Sequence, residues 1–539
     1  MLPATSIDDD FDDPQADLIA PGARQNRGLP ETLAKLQGEL RRQPENPELH
    51  FELARTLLRG GKARPAEHHL REAIRLNPAQ LDPWVQLGAL LERRRAYGDA
   101  VKLFQAATRT FPGNSRLWSK LGRSLRREGL AEKAVAALSE ALRLNPASAE
   151  AQYELGIGLQ LEGKMPEARR LLLQALQQDS TSVLYRAALA SVESALDPPV
   201  TGAGCAPAAR IGLHMNKTFH FSILDPIFQA LKTCHPVLLA TEPAQLQQFR
   251  PEVVVVADAQ GQRIRARCPD ATLIFVRHGL ISKQHLAEAA AGCDFVAGVS
   301  SDTIRDEIVR HCGIGAERIW ITGHVPMDPL FRGQRVDAGN VPLPRGNRTV
   351  LFAPTWNRKL SALGLLGERA VELLLGARED INLIIKPHPQ SVRDHRDWMA
   401  TLRRSARGRR NVWLVDDPAN DTMELLPLAD VLVSDASSLI FAFLACDRPL
   451  VLITHPHRKQ DPGYDENGIE WRWRDVGEEV TDMETLPAAI RQALEQPQLR
   501  ATERAHYRKL LFGQYTDGRA AERIATRISS LPRRGAARS

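Results

Sequence analysis

Prolines fall at positions 44, 78, 112 and 146, one spacing of 34 residues held across all four. Self-similarity at a fixed period restricts a chain to stacked copies of one supersecondary unit, because each copy is too small to bury its apolar face alone. Aligning on the prolines gives four units, residues 47–80, 81–114, 115–148 and 149–182. The second unit carries Trp84, Leu87, Gly88, Leu91, Ala100, Phe104, Ala107 and Pro112 at fixed offsets. The third repeats the set as Trp118, Leu121, Gly122, Leu125, Ala134, Leu138, Ala141 and Pro146. The first has Leu53, Ala54, Leu57, Ala66, Leu70, Ala73 and Pro78. The fourth has Leu155, Gly156, Leu159, Ala168, Leu172 and Ala175, with Ser180 where the proline would stand.

Large residues three and four apart make one apolar helical face. A small residue at the eighth position and alanine at the twentieth allow two paired helices to approach closely, and the terminal proline ends the second helix. The pattern resembles the tetratricopeptide repeat. Residues 30–43 are expected to add a lead-in helix and residues 181–196 a closing one that caps the exposed end. Such solenoids present a concave surface to a protein segment. A role limited to dimerising the chain or orienting its remainder is equally open.

After Leu196 the stretch DPPVTGAGCAPAA has no periodicity and reads as a linker over 197–209. From Arg210 short apolar runs alternate with amphipathic helices: IGLHM, PVLLA, EVVVVAD, ATLIFV, DFVAGV and RIWITG. A second series follows as TVLFAP, INLIIKP, NVWLV, DVLVSD and PLVLIT. Continuous apolar strands separated by helices predict parallel sheets covered on both faces. Two such series predict two Rossmann-like domains, residues 210–338 and 339–525, after a solenoid over 30–196. A disordered acidic tail (1–29) and a basic tail (526–539) complete the division. The expected fold class is an all-helical solenoid followed by a two-Rossmann α/β architecture that resembles the GT-B transferases, with ligands outside the carboxyl ends of the strands.

The net charge is +6, which suits a phosphate-bearing ligand or an anionic membrane surface, although an arginine-rich composition alone produces the same balance. The six cysteines show neither CxxC pairs nor zinc-type spacing, so no metal site is expected. The acidic N-terminus MLPATSIDDDFDDPQAD lacks the apolar core of a signal peptide, and the cytoplasm is the expected location.

Four motifs stand at strand ends. Arg277-His278-Gly279-Leu280-Ile281-Ser282-Lys283 follows ATLIFV; imidazole suits removal of a proton from an acceptor hydroxyl, whereas a loop histidine can also do no more than bond to backbone. Ala353-Pro354-Thr355-Trp356 closes TVLFAP and reads equally as a turn with a packed tryptophan. Lys386-Pro387-His388-Pro389 follows INLII; the prolines stiffen the turn, and a cation beside an imidazole suits a diphosphate. Ser434-Asp435-Ala436-Ser437-Ser438 precedes a helix, where the serines serve as caps or as part of an anion site. Weaker features are His455-Pro456-His457-Arg458-Lys459 after the last strand, and Trp471 and Trp473, which are expected to pack where terminal segments return.

Together HGLISK, APTW, KPHP and SDASSLIFAFLACDRPLV resemble the CDP-glycerol glycerophosphotransferases, the teichoic-acid polymerases and primases, over residues 210–515. The resemblance implies His278 as general base, with His388, Ser437 and Ser438 holding the donor's phosphates. Gly279, Lys283, Thr355, Lys386, Ser434 and Asp435 become substrate-binding candidates. It implies no cofactor and no catalytic metal. Partners would be a CDP-glycerol-like nucleotide diphosphate, a polyol- or saccharide-phosphate acceptor and a protein at the concave face of the repeats. Peripheral contact with the inner face of the plasma membrane fits, and no nucleic acid is expected. The chain departs from the family pattern at Ala436 and Ala442, which keeps a sugar-nucleotide glycosyltransferase open, as well as a non-catalytic scaffold.

Overall fold

The computed structural model describes residues 29–197, 209–280, 286–334, 341–416, 422–461, 464 and 466–532. Contacts divide the chain into two units, Met1–Phe221 with Leu231–Val254 and Ser222–Ala230 with Val255–Ser539. The expected acidic tail (up to residue 28), residues 198–208 of the expected linker, and Lys283 lie outside the described residues.

The first unit opens with ten helices among the described residues. They are α1 (Leu29–Arg42), α2 (Pro47–Arg59), α3 (Ala63–Leu76), α4 (Leu81–Arg93), α5 (Tyr97–Thr110), α6 (Ser115–Arg127), α7 (Ala131–Leu144), α8 (Ala149–Leu161), α9 (Met165–Gln178) and α10 (Val183–Leu196). Each repeat is one helix pair. Side chains of Asn46, Asn114, Ser148 and Ser182 accept from backbone N–H groups at the starts of α2, α6, α8 and α10, satisfying donors that a helix start leaves unpaired. A second device recurs at the 34-residue period. The side chains of His50, Trp84, Trp118 and Gln152 each bond the carbonyl six residues earlier, on Pro44, Pro78, Pro112 and Pro146, at 2.9–3.1 Å. Three chemically different residues thus fix the same turn.

The small eighth residue is required by contact. A Cβ added at Gly88 would stand 2.0 Å from the Phe104 ring, and one at Gly122 would stand 2.4 Å from Leu138. Phe104 and Leu138 are fully buried, so either overlap would force the packing between the paired helices to shift.

The same unit contains β1 (Ile211–His214) and, beyond the intervening helix α11 (Phe221–Leu231), β2 (Val237–Ala240) and the helix α12 (Pro243–Phe249). These seat on the last repeats. Arg126 of α6 bonds Glu154 of α8 (Nη2 to Oε2, 2.5 Å) and also Glu242, the residue before α12. Arg127 reaches Glu242 at 3.3 Å. Gln245 donates to Gln160 at 3.0 Å, and the Gln248 side chain donates to the Leu161 carbonyl. Ser191 of α10 both donates to the Leu239 carbonyl (2.8 Å) and accepts from the Leu239 N–H (2.9 Å), covering the outer edge of β2. The α6–α8 face therefore holds a helix of its own chain.

The first sheet has the order β2-β1-β3-β4-β5-β6, adding β3 (Val253–Val256), β4 (Thr272–Val276), β5 (Phe295–Val299) and β6 (Ile319–Ile321). The pairs β1–β2, β4–β5 and β5–β6 run parallel. The second sheet has the order β12-β11-β10-β7-β8-β9, built from β7 (Arg348–Ala353), β8 (Ile381–Ile385), β9 (Val412–Leu414), β10 (Val431–Ser434), β11 (Leu450–Ile453) and β12 (Glu478–Val480). All its pairs are parallel. Its strand order reverses between β7 and β10, and the crevice at such a switch point is where open α/β sheets bind ligands.

The expected division at residue 525 falls inside a helix, Ala520–Ser529. Asp328, just past β6, accepts from the N–H groups of Ala520 and Ala521 at 2.9 and 3.0 Å, and Ile524 and Ile528 are buried. Residues 526–529 thus belong to a helix seated against the first sheet's elements rather than to a free tail; 533–539 lie outside the described residues. Trp473 is buried, stacked on Tyr507 with Phe441 at its edge, while Trp471 lies beneath the Arg474 and Arg458 cations.

Candidate functional site

β4 ends at Val276, and the chain leaves it through buried Arg277 to exposed His278. His278 Nδ1 lies 3.0 Å from the Ala257 carbonyl, just past β3. A carbonyl only accepts, so Nδ1 carries the proton of the neutral ring and Nε2 holds the lone pair. Gly279 beside it is half-buried.

The other motifs gather at three adjacent strands of the second sheet, β8, β7 and β10. Lys386, one residue past β8, is 3% exposed, and its N–H donates to the Phe352 carbonyl of β7. His388 is half-buried and caps the short helix Pro389–Asp394, its Nδ1 accepting from the Gln390 N–H at 3.2 Å. That bond places the ring proton on Nε2, the opposite tautomer from His278. In their neutral forms the two rings thus carry the proton on opposite nitrogens.

Asp435 joins the loops after β7 and β10. One carboxylate oxygen accepts from Thr355 (2.9 Å) and Ala436 (2.7 Å), the other from Ala362 (2.8 Å), and the residue is 1% exposed. Ser434 is fully buried and donates to the Ala353 carbonyl at 2.7 Å. Both were expected at the substrate. Their side chains are instead directed into the protein and shape the turns that carry Thr355, Ser437 and Ser438. Ser437 Oγ accepts from Leu439 N–H at 3.3 Å; Ser438, at the start of the helix Leu439–Phe443, makes no capping bond. All three are half-buried at the crevice.

Burial raises the Asp435 pKa to about 6, against the opposing pull of its three N–H bonds and Arg474. A raised carboxyl pKa means that the native state holds its proton more tightly than the unfolded chain. Asp435 therefore favours the fold most below pH 4; this contribution is lost as pH rises toward 6 and the cost of the buried charge is fully present above it. The stability of the wild type relative to Asp435→Asn should fall by up to about 3 kcal/mol between pH 4 and 7, measured as thermal midpoints of both proteins. A difference that stays flat with pH would contradict the assigned burial.

Sequence reading passed over Arg474. It donates to the Asp435 carbonyl through Nη1 (2.9 Å) and to Glu479 through Nε (3.2 Å), and its Nη2 has no hydrogen-bond partner. Its only sequence signal was a place in the run EWRWRD. His324, past β6, was also missed. It is buried with Nδ1 3.3 Å from the Gly298 carbonyl, and burial followed by the nearby Arg277 charge pulls its pKa down to about 3. Among the described residues, no group of three or more His, Cys, Asp or Glu is placed to hold a metal ion.

Residues 270–530 match the CDP-glycerol:poly(glycerophosphate) glycerophosphotransferase family, and residues 51–115 and 119–183 match the tetratricopeptide repeat. The chain thus carries tetratricopeptide repeats followed by a region that matches the model of that transferase family. Solved structures similar to it include the wall teichoic acid polymerase TagF, at 14% identity over 63% of this chain and 92% of that one, with a TM-score of 0.48. The O-GlcNAc transferase of Thermobaculum terrenum is 16% identical over 90% of this chain and 96% of its own, with a TM-score of 0.33. The repeat protein YrrB is 20% identical over 30% of this chain and 84% of its own, with a TM-score of 0.27. No curated protein sequence matches the chain.

Proposed function

We propose that this chain transfers glycerol phosphate, or a related phospho-polyol, from a CDP-linked donor to a hydroxyl of a cell-surface polymer. The opposed tautomers of His278 and His388 carry the reading. The acceptor hydroxyl gives its proton to His278 Nε2 as its oxygen bonds to the phosphorus bearing the glycerol. The bond from that phosphorus to the bridging oxygen breaks, and the electron pair leaves with CMP. His388 Nε2–H, Lys386 and the hydroxyls of Ser437 and Ser438 meet the charge that gathers on the departing phosphate. Thr355 and Gly279 line the path between the reacting groups. Transfer of this kind asks a protein mainly for positioning and charge stabilisation.

The cytosolic side of the envelope suits a CDP-linked donor. No helix among the described residues is long and apolar enough to cross a membrane, so access to a surface polymer would come by peripheral contact. In this reading the acceptor binds residues 210–338 and the donor residues 339–525, and the first half of the repeats, away from the α12 contact, remains for a protein partner.

A thermal-shift screen tests the donor. At a hundredfold excess over its Kd a ligand adds about 2.7 kcal/mol to stability. CDP-glycerol is expected to raise the midpoint more than UDP- or GDP-sugars do, and Ser437→Ala with Ser438→Ala should weaken CDP-glycerol binding about tenfold, as loss of one or two hydrogen bonds to a charged group implies. Stabilisation by a sugar nucleotide alone would replace the glycerophosphate reading with glycosyl transfer. Binding without turnover of any donor would favour a scaffold.

A further inference from the structure

One group beside His278 has no part in the chemistry above. Arg277, the first residue past β4, is 2% exposed, its Nη1 meets no hydrogen-bond partner, and among the described residues no carboxylate pairs with it. The Cys312 thiol acts on it in the opposite sense, but burial keeps that thiol above its ordinary pKa and therefore neutral. Burial draws the arginine down to about 10, which still leaves it charged at pH 7. On the adjacent strand, Ser300, the first residue past β5, is 1% exposed and its Oγ also has no partner. β4 and β5 pair in parallel through Val276↔Ala297, and the Arg277 N–H donates to the Ala297 carbonyl at 3.1 Å. Neighbouring strands lie about 4.8 Å apart, so the two unsatisfied residues share one stretch of the sheet's carboxyl edge. Gly298, with φ at +76°, lies on β5 where its register against β6 shifts between Val296 and Val299.

A buried cation without a counter-charge and a buried hydroxyl without a partner each destabilise a fold. A bound oxyanion would offset both at once, since a guanidinium and a hydroxyl are the donors that such a group takes. We propose that Arg277 and Ser300 form an oxyanion site, separate from the donor motifs, and that the acceptor seats a phosphate group of its own there with its reacting hydroxyl toward His278. The inference rests on the transferase reading and adds that Arg277 and Ser300 are the residues on the acceptor's side of that site.

The test uses the full-length protein and inorganic phosphate as probe, at ionic strength held constant with sodium chloride, with CDP as the donor-side probe. Phosphate is expected to raise the wild-type midpoint by about 2–4 °C, and glycerol 3-phosphate should do the same where glycerol does not. Without ligand, Arg277→Met should melt no lower than wild type, because it removes an unpaired buried charge; its phosphate response should vanish and its CDP response persist. Ser300→Ala should weaken phosphate binding severalfold and gives an independent reading if the arginine variant does not fold. Ser437→Ala with Ser438→Ala should keep the phosphate response. An Arg277→Met protein that melts lower and still responds to phosphate would overturn the proposal, as would a wild type with no response beyond the salt control. Free phosphate binding without glycerol 3-phosphate binding would overturn the acceptor assignment. A loss of the CDP response in wild type would instead count against the donor reading while leaving the oxyanion site standing.

Discussion

Replacing His278 by alanine is expected to lower transfer about 10²- to 10⁴-fold, while CDP still raises the thermal midpoint as it does in the wild type. The expectation follows from how the ring is held. The Ala257 carbonyl fixes the proton on Nδ1, so the side chain presents its lone pair on Nε2 at an exposed strand end. Removing the ring takes away the base and leaves Lys386, His388, Ser437 and Ser438 at the second sheet as they were. Rate and donor binding should therefore separate. A variant that turns over at the wild-type rate would remove His278 from the mechanism, and one that loses CDP binding as well would make the histidine structural.

Glu242→Ala is expected to destabilise the protein by about 3–5 kcal/mol. Arg126 has a side chain 2% exposed between Glu154 and Glu242, and Arg127 contacts the same Glu242 at 3.3 Å. Burial works against the Glu242 charge, yet the two arginines outweigh it and hold the carboxyl below its ordinary pKa. Truncating the glutamate leaves two arginines short of counter-charge in a buried setting and also removes the cap that starts α12. The urea midpoint should fall accordingly, and removing Arg126 and Glu242 together should cost less than the sum of the two single changes. A loss under about 1 kcal/mol would mean that this contact behaves as a solvated surface pair.

The repeats were legible in the sequence because each unit is fixed by residues close in the chain. The proline, the small eighth residue and the apolar offsets all act within one helix pair. The device on Pro44, Pro78, Pro112 and Pro146 was less visible, since His50, Trp84, Trp118 and Gln152 share a position and a donor but little else. Buried strands were legible as continuous apolar runs. β12 was not, because Glu478-Glu479-Val480 is short, charged and at the sheet edge, where polar residues are tolerated.

Contacts between distant residues left no local trace. Arg126 and Glu242 lie 116 positions apart, and nothing in either neighbourhood marks the pair. Asp435 stood in a motif that pointed to a ligand, whereas the carboxylate holds the turns around it. Arg277 was part of the quoted motif and offered one overlooked signal, a guanidinium directly after four apolar strand residues.

The donor is decided by product release. With full-length protein and an acceptor ending in glycerol phosphate, CMP should appear from CDP-glycerol with matching incorporation of labelled glycerol phosphate. Both should fall about 10²- to 10⁴-fold with His278→Ala, and UDP- or GDP-sugars should give no transfer. Transfer from a sugar nucleotide with no CMP released from CDP-glycerol would contradict a glycerophosphate transferase.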